Sequence, residues 1–209
     1  MLLSTWLLYV AAVFVLTVTP GPSVLMCVST AVNLGPRKAL ITSLGSTSAI
    51  VGLMTLSALG LGALLAASEA LFTALKWAGA AYLAYLGVRA LLAPASDIRV
   101  GGGAAAASGR RLFAQGFLVG LSNPKALLFF GALFPQFLNP AAPQLPQFLL
   151  LGATFVCFEL GWLTVYAFSA ARAQRWLQQP QRARQFNRLT GVVFLLAAGL
   201  LATSKRQPG

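Results

Sequence analysis

The sequence contains no histidine and only three acidic residues, against fifteen lysines and arginines. Without histidine, a histidine-based metal site or an imidazole proton relay is excluded. The two cysteines, Cys27 and Cys157, both lie within apolar runs, which favours small core residues over a disulfide framework. Only 9% of the 209 residues are charged and 58% are hydrophobic, whereas a soluble domain carries roughly 25% charged residues. The composition therefore predicts an integral membrane protein.

Six apolar stretches are long enough to cross a bilayer as helices, for which about 20 residues are needed. We predict spans at residues 7–32, 39–66, 71–92, 112–138, 145–171 and 189–203. The last stretch is short, and we expect its helix to begin near Phe186. Segment 93–111 contains three consecutive glycines and a run of alanines, which predicts a flexible linker. The predicted fold class is an all-α integral membrane protein with six transmembrane helices.

Basic residues are concentrated in alternate connections between the predicted spans. Eleven of the fifteen follow span one, surround the linker, or separate spans five and six, while the other two connections carry almost no charge. Cytoplasmic loops of membrane proteins collect lysine and arginine, so this pattern places the three basic connections in the cytoplasm and both termini outside. The same distribution explains the net charge of +12 without a nucleic-acid partner.

The two halves of the chain repeat the same patterns. Spans three and six share a basic residue, two glycines and an aromatic–leucine pair at identical spacing: Lys76, Gly79, Tyr82, Leu83 and Gly87 in span three, and Arg188, Gly191, Phe194, Leu195 and Gly199 in span six. Three spans per repeat is an odd number, so the halves would enter the membrane from opposite sides. We predict two inverted three-helix repeats, residues 1–92 and 112–209, joined by the cytoplasmic linker 93–111.

Proline breaks occur at matching places in spans one and four. Pro20, Gly21 and Pro22 interrupt span one, and Asn123, Pro124 and Lys125 interrupt span four. Such breaks free backbone amides and carbonyls for a polar ligand, and in inverted repeats they point to a transporter's binding site. The alternative is a simple proline kink whose lysine extends to one interface.

Glu159 is the only acidic residue inside a predicted span, and Lys125 is its natural partner. At 1.5 Å per residue, Pro20, Lys125 and Glu159 all lie roughly 20 Å from the cytoplasmic edge. We therefore predict a shared substrate-binding and translocation site formed by Pro20, Gly21, Pro22, Asn123, Pro124, Lys125 and Glu159. A purely structural ion pair between the two charges is the alternative.

Two further sets of residues are given structural roles. The span-two glycines are interpreted as permitting close helix contact: Gly45, Gly52, Gly60 and Gly62. Four aromatic residues are interpreted as anchors at the membrane interface: Trp6, Tyr9, Trp77 and Trp176.

These motifs resemble the LysE/RhtB family of bacterial amino-acid exporters. The resemblance rests on Thr-Pro-Gly-Pro in span one, Leu-Gly-Pro-Arg-Lys-Ala after it, the pattern of residues 76–87 and Asn-Pro-Lys-Ala-Leu-Leu-Phe-Phe in span four, and it covers essentially the whole chain. It implies a secondary transporter of the bacterial inner membrane, not an enzyme. Export of amino acids would be driven by the membrane potential or by a proton gradient, with protons as the coupling ion. The RhtB branch is the more similar, which implies neutral substrates such as threonine, homoserine or leucine. No cofactor or metal is implied, and a homodimer stays open.

A zwitterionic amino acid that crosses hydrocarbon needs both of its charges compensated. Its ammonium could be met by Glu159 or by carbonyls freed at the proline breaks, and its carboxylate by Lys125 or by amides at a helix end. Protonation of Glu159 from outside would remove the carboxylate charge and release the ammonium. This hypothesis couples proton entry to export.

Two functions of other classes are alternatives. A membrane thiol–disulfide relay of the CcdA type needs a reactive cysteine in each of spans one and four, and span four has none. A divalent-metal exporter of similar architecture needs several carboxylates or imidazoles, whereas the predicted spans offer one acidic residue and no histidine.

Overall fold

A computed structural model describes residues 2–59, 69–93, 108–130, 134–139, 141–177 and 179–203. The helices are α1 Leu3–Val18, α2 Pro22–Leu34, α3 Pro36–Ala58, α4 Glu69–Leu91, α5 Gly109–Leu121, α6 Pro124–Leu128, α7 Gln144–Arg172, α8 Gln174–Leu177 and α9 Pro180–Thr203. A 3₁₀ turn at Phe134–Phe137 follows α6. These residues include no strand, so the predicted all-α class is confirmed for the described part of the chain.

Among the helices of the described residues, three, α3, α7 and α9, are long and apolar enough to cross a membrane. The pair α1 and α2, whose axes differ by 48°, counts as a fourth candidate if it forms one bent span. Helix α4 has spanning length but contains Lys76 and Arg89, which reduce its apolar character. Helices α5 and α6 have only 13 and 5 residues. The structure therefore supports several membrane-spanning helices, while the count of six stays a prediction.

The helix boundaries differ from the predicted spans in three places. Span two begins earlier, at Pro36, and its predicted end at residues 60–66 lies outside the described residues. Span four is not one helix, because α5 ends at Leu121 and α6 begins at Pro124. Helix α9 begins at Pro180, earlier than predicted. Its first turns are polar, so a search for apolar runs does not recognise them. Most of the predicted linker, residues 94–107, also lies outside the described part.

Proline and glycine determine where several helices begin. Pro22, Pro36 and Pro124 each stand at the first position of a helix, where a backbone N–H would have no intrahelical partner. Gly35 separates α2 from α3 with a φ of +88°, in the left-handed region that favours glycine. The predicted discontinuities near Pro20 and Pro124 are confirmed by the ends of α1 and α5.

Helices α3 and α5 lie side by side with their backbones in direct contact. A Cβ atom at Gly116 would overlap the carbonyl oxygen of Thr42, and one at Gly120 would lie 2.5 Å from the carbonyl oxygen of Ser46. On the α3 side, a Cβ at Gly45 would overlap the carbonyl oxygen of Phe113. The predicted role of Gly45 in close helix contact is therefore confirmed. Gly52 has open space around it, and Gly60 and Gly62 lie outside the described residues.

Helices α4 and α9, which carry the repeated glycine pattern, pack against each other. A Cβ at Gly87 would lie 3.1 Å from the Gly191 carbonyl oxygen, and one at Gly79 would lie 2.9 Å from the Leu201 side chain. Contacts at these two levels run in opposite directions along the helices, so the pair is antiparallel. Gly199 has no such neighbour, so three of the four repeated glycines serve this interface.

Helix α7 packs against α1, α2 and α3 and contributes to two of the three buried apolar clusters. Tyr9 is fully buried among phenylalanines, and its hydroxyl donates to the Leu151 carbonyl at 3.2 Å. Its predicted role as an interfacial anchor is therefore wrong. Cys157 is exposed on α7, while Cys27 is buried. The core assignment thus holds for Cys27 only, because an apolar run does not tell which face of a helix is packed.

The contact between α3 and α5 predicts the effect of adding one methyl group. Gly116→Ala should lower the stability of the folded protein by about 1–3 kcal/mol, because the new Cβ meets backbone that cannot rotate away. Thermal unfolding of the purified protein in detergent measures the change. Gly52→Ala is the matched control on α3, where the added methyl group meets nothing and should leave the melting temperature equal or higher. Equal melting temperatures for both variants would contradict the direct backbone contact.

Candidate functional site

The proline break at the end of α1 leaves two backbone carbonyls without their usual helical donors. In an α-helix the carbonyl of residue i accepts from the N–H of residue i+4. The carbonyls of Leu16 and Val18 would need the N–H groups of residues 20 and 22, and both of these are prolines. The sequence itself therefore creates two free acceptors, two residues apart, inside an apolar segment.

Side chains from two other elements take up these acceptors. The Lys125 ammonium, on α6, donates to the carbonyl of Leu16 and, at 2.8 Å, to that of Thr19. The Tyr166 hydroxyl, on α7, donates to the Val18 carbonyl at 2.9 Å. A cation at the C-terminal end of a helix is also favoured by the helix dipole. Lys125 and Tyr166 thus hold the end of α1 against α6 and α7.

The two proline breaks meet directly. The Asn123 side chain accepts from the Lys125 backbone N–H at 3.2 Å and so caps α6. Its amide nitrogen donates to the Ser23 hydroxyl at 3.4 Å, in the first turn of α2. The Lys125 side chain passes over Gly21, where a Cβ would lie 3.6 Å from its Nζ atom. The predicted approach of the two breaks is therefore confirmed.

Glu159 lies in the middle of α7 with only 8% of its surface exposed. The positive charge of Lys125 acts on its carboxylate. The carboxylate also interacts electrostatically with Cys27 on α2. Lys125 and Glu159 are therefore electrostatic neighbours, while the hydrogen bonds of the ammonium go to the end of α1.

The structure brings most of the predicted site residues to one place. Gly21, Pro22, Asn123 and Pro124 are buried at the meeting of the two breaks, Lys125 is partly buried beside them, and Pro20 is exposed. Glu159 is linked to this group through the charge of Lys125. The described residues contain no group of three or more cysteine, aspartate or glutamate side chains that could hold a metal ion.

Sequence reasoning missed Tyr166 and Ser23. Both are polar residues in apolar helices, and neither carries a charge or forms part of a motif that would mark it. The signal available was the pair of prolines at residues 20 and 22. Each proline predicts one carbonyl that needs a donor from elsewhere in the fold, but only the folded arrangement of α7 shows which side chain supplies it.

A cluster with one buried carboxylate, one ammonium and freed backbone carbonyls can bind a polar group that bears both charges. The carboxylate can hold a cation or a proton, and its charge disappears when it is protonated. The ammonium has three N–H donors, of which two reach the carbonyls of Leu16 and Thr19. Within the described part of the chain, one donor is left for a negatively charged group.

Comparison with known proteins gives the same family over nearly the whole chain. The family model described as LysE type translocator matches residues 14–205. The homoserine/homoserine lactone efflux protein of Salmonella typhimurium is 36% identical over 200 residues, which cover 96% of this chain and 97% of that protein. The leucine efflux protein of Enterobacter sp. is 28% identical over 93% of each chain. An uncharacterized membrane protein of Vibrio cholerae is 34% identical over 96% of this chain and 97% of its own. No solved structure matches the chain.

The hydrogen bond at Val18 predicts the effect of removing one hydroxyl. Tyr166→Phe should lower the stability of the folded protein by about 1–3 kcal/mol. The Val18 carbonyl loses its hydrogen bond from the tyrosine, and the proline at residue 22 has no N–H to replace it. The melting temperature in detergent measures the loss. Tyr85→Phe is the control, since the Tyr85 hydroxyl lies at an exposed position, where it accepts a hydrogen bond from the Arg89 side chain. A Tyr166→Phe protein as stable as the Tyr85→Phe protein would show that the Val18 carbonyl does not depend on Tyr166.

Proposed function

Since the chain belongs to the LysE type translocator family, we propose that it is a secondary transporter of small neutral amino acids in the bacterial inner membrane. It exports them from the cytoplasm outward in exchange for protons. Members of this family are translocators, so the chain is a transporter and not an enzyme. Two of its relatives are named for the efflux of homoserine and of leucine. Both compounds are α-amino acids without a charged side chain.

The observation that carries the proposal is the buried Glu159 carboxylate beside Lys125 at the meeting point of two broken helices. A buried charge inside a membrane segment is costly and is usually retained for function. One carboxylate and one ammonium match the two charges of a zwitterion, and a neutral side chain requires no third charge. The composition of the site therefore favours neutral amino acids over lysine or arginine.

In the proposed mechanism, the substrate ammonium binds at Glu159. The substrate carboxylate accepts a hydrogen bond from the third N–H of the Lys125 ammonium, which the Leu16 and Thr19 carbonyls do not use. Lys125 is held in place by the Leu16 and Thr19 carbonyls, so it does not need to reorganise for each substrate. A proton that reaches Glu159 from outside neutralises its carboxylate and weakens its hold on the ammonium. The amino acid then leaves outward, and the proton is carried inward when the site faces the cytoplasm again.

The directions of the packed helices support two inverted repeats of three spans. Helices α1 and α7 are parallel, because Trp6 contacts Thr154 and Val18 contacts Tyr166 further along both helices. Helices α3 and α5 are parallel as well, whereas α4 and α9 are antiparallel. Alternation of six spans requires these relations: spans one and five cross in one direction, spans two and four in the other, and spans three and six oppose each other.

Within this architecture, residues 1–92 form the first repeat, residues 112–209 form the second, and residues 93–111 form the cytoplasmic linker. Both termini lie outside, because the basic connections lie in the cytoplasm.

Labelling of single cysteines tests this orientation. In a chain with Cys27 and Cys157 changed to serine, Ser108→Cys should react with a membrane-impermeant maleimide only from the cytoplasmic side. Ala141→Cys should react only from the outside. Intact cells and inverted membrane vesicles provide the two sides. Reaction of both positions from the same side would overturn the orientation.

Counterflow in proteoliposomes tests the function and the role of Glu159. The unaltered protein should exchange homoserine, threonine or leucine in preference to lysine and arginine, and its rate should depend on pH. Glu159→Gln keeps the shape of the side chain but removes its charge, so transport should fall about ten-fold or more and its pH dependence should flatten. Cys157→Ser, on the exposed face of the same helix, should transport normally. A Glu159→Gln protein with unchanged rate and pH dependence would remove Glu159 from the mechanism.

A further inference from the structure

Helix α3 carries a series of buried hydroxyl groups on the side that faces the rest of the fold. Thr42, Ser43 and Ser46 each donate to a backbone carbonyl one turn earlier on the same helix. Such bonds are the usual way for a hydroxyl to be satisfied inside an apolar helix. Thr47 differs, as does Ser57 at the far end of the helix, because its hydroxyl has no hydrogen-bond partner among the described residues; only 4% of Thr47 is exposed.

The register between α3 and α7 places Thr47 at the level of Glu159. The Ser43 hydroxyl oxygen lies 3.4 Å from the Cys27 sulfur, and the Cys27 thiol donates to the Leu163 carbonyl at 3.4 Å, so Ser43 and Leu163 lie at one level. Further along, a Cβ at Gly152 would touch the Met54 side chain, so the two helices run antiparallel.

Thr47 lies four residues beyond Ser43, and Glu159 lies four residues before Leu163. Each is therefore one turn, about 6 Å, from the Ser43–Leu163 level in the same direction, and on the same face as its reference residue.

A buried hydroxyl without a partner costs free energy, and native structures rarely keep one without a reason. The described residues leave the Thr47 hydroxyl unsatisfied at the level of the buried Glu159 carboxylate. Two acceptors, on facing sides of α3 and α7, are therefore available to a donor that enters from outside the protein. An ammonium group has three N–H donors and matches this pair.

We propose that Thr47 is a substrate ligand, whose hydroxyl oxygen accepts a hydrogen bond from the ammonium group of the transported amino acid while Glu159 binds the same group. This assignment rests on the proposed function and adds a second contact to its ammonium site. The neutral hydroxyl keeps its acceptor when Glu159 is protonated. Thr47 therefore keeps the ammonium oriented at the step at which the carboxylate releases it.

The test compares three variants in proteoliposome counterflow with homoserine and with leucine as probes. Thr47→Val keeps the shape of the side chain and removes the hydroxyl, and it should raise the KM about ten-fold or more, because a hydrogen bond to a charged group is lost. Thr47→Ser restores the hydroxyl and should stay within about two-fold of the unaltered protein. Thr190→Val is the matched control, since the Thr190 hydroxyl on α9 is also fully buried and without a partner in the described residues. It should leave the KM unchanged.

A second readout separates ligand binding from a structural role. The 2-hydroxy acid that corresponds to leucine lacks the ammonium group, so its inhibition of transport should be equally weak in the unaltered and the Thr47→Val proteins. The melting temperature of Thr47→Val should not fall, because no hydrogen bond within the described part of the protein is removed.

Each result of these measurements supports or overturns the assignment of Thr47. Equal KM values for the unaltered and Thr47→Val proteins overturn the assignment and leave the proposed function standing. Equal losses in Thr47→Val and Thr190→Val, or an equal loss for the 2-hydroxy acid, also overturn it, because the hydroxyl then does not contact the ammonium. Failure of the unaltered protein to transport any amino acid of the panel overturns the proposed function and this assignment together.

Discussion

The arrangement of the site depends on two backbone N–H groups that the chain does not have. Pro20 and Pro22 deprive the Leu16 and Val18 carbonyls of their helical donors. A free carbonyl in an apolar environment costs several kcal/mol unless something donates to it. The fold therefore has to bring a donor to each one, and Lys125 and Tyr166 fill these positions. The positions of α6 and α7 relative to the end of α1 follow from that requirement.

Much of the fold could be predicted because its signals are local. Apolar length, proline and glycine positions, and the glycine pattern of α4 and α9 are all visible in the sequence. What could not be predicted is the side of each helix that faces inward. Tyrosine is common at the membrane interface, which predicts an anchoring role for Tyr9, but the residue lies fully buried in a cluster of phenylalanines from other elements. Burial of this kind depends on partners more than 100 residues away in the chain.

The candidate site was predictable to a similar degree and for the same reason. Lys125 and Glu159 were conspicuous because each is a rare charge in an apolar helix, and the prolines were conspicuous because they break helices. The partner of Lys125 was not predictable, since a lone acidic residue is the obvious choice and only the fold shows which side chains reach the freed carbonyls of α1. Thr47 gave no signal, because threonine is common in apolar helices and only a complete inventory of hydrogen bonds distinguishes it from Thr42.

The direct contact between the backbones of α3 and α5 has a consequence for motion. A transporter opens to one side and then to the other, so some of its helices must shift while others stay together. Helices separated by a layer of side chains can slide as rotamers change, but a glycine against a carbonyl has no side chain to rotate. Gly116 and Gly120 therefore tie α3 and α5 into one moving pair. Relative motion is then left to the interfaces that are packed through side chains.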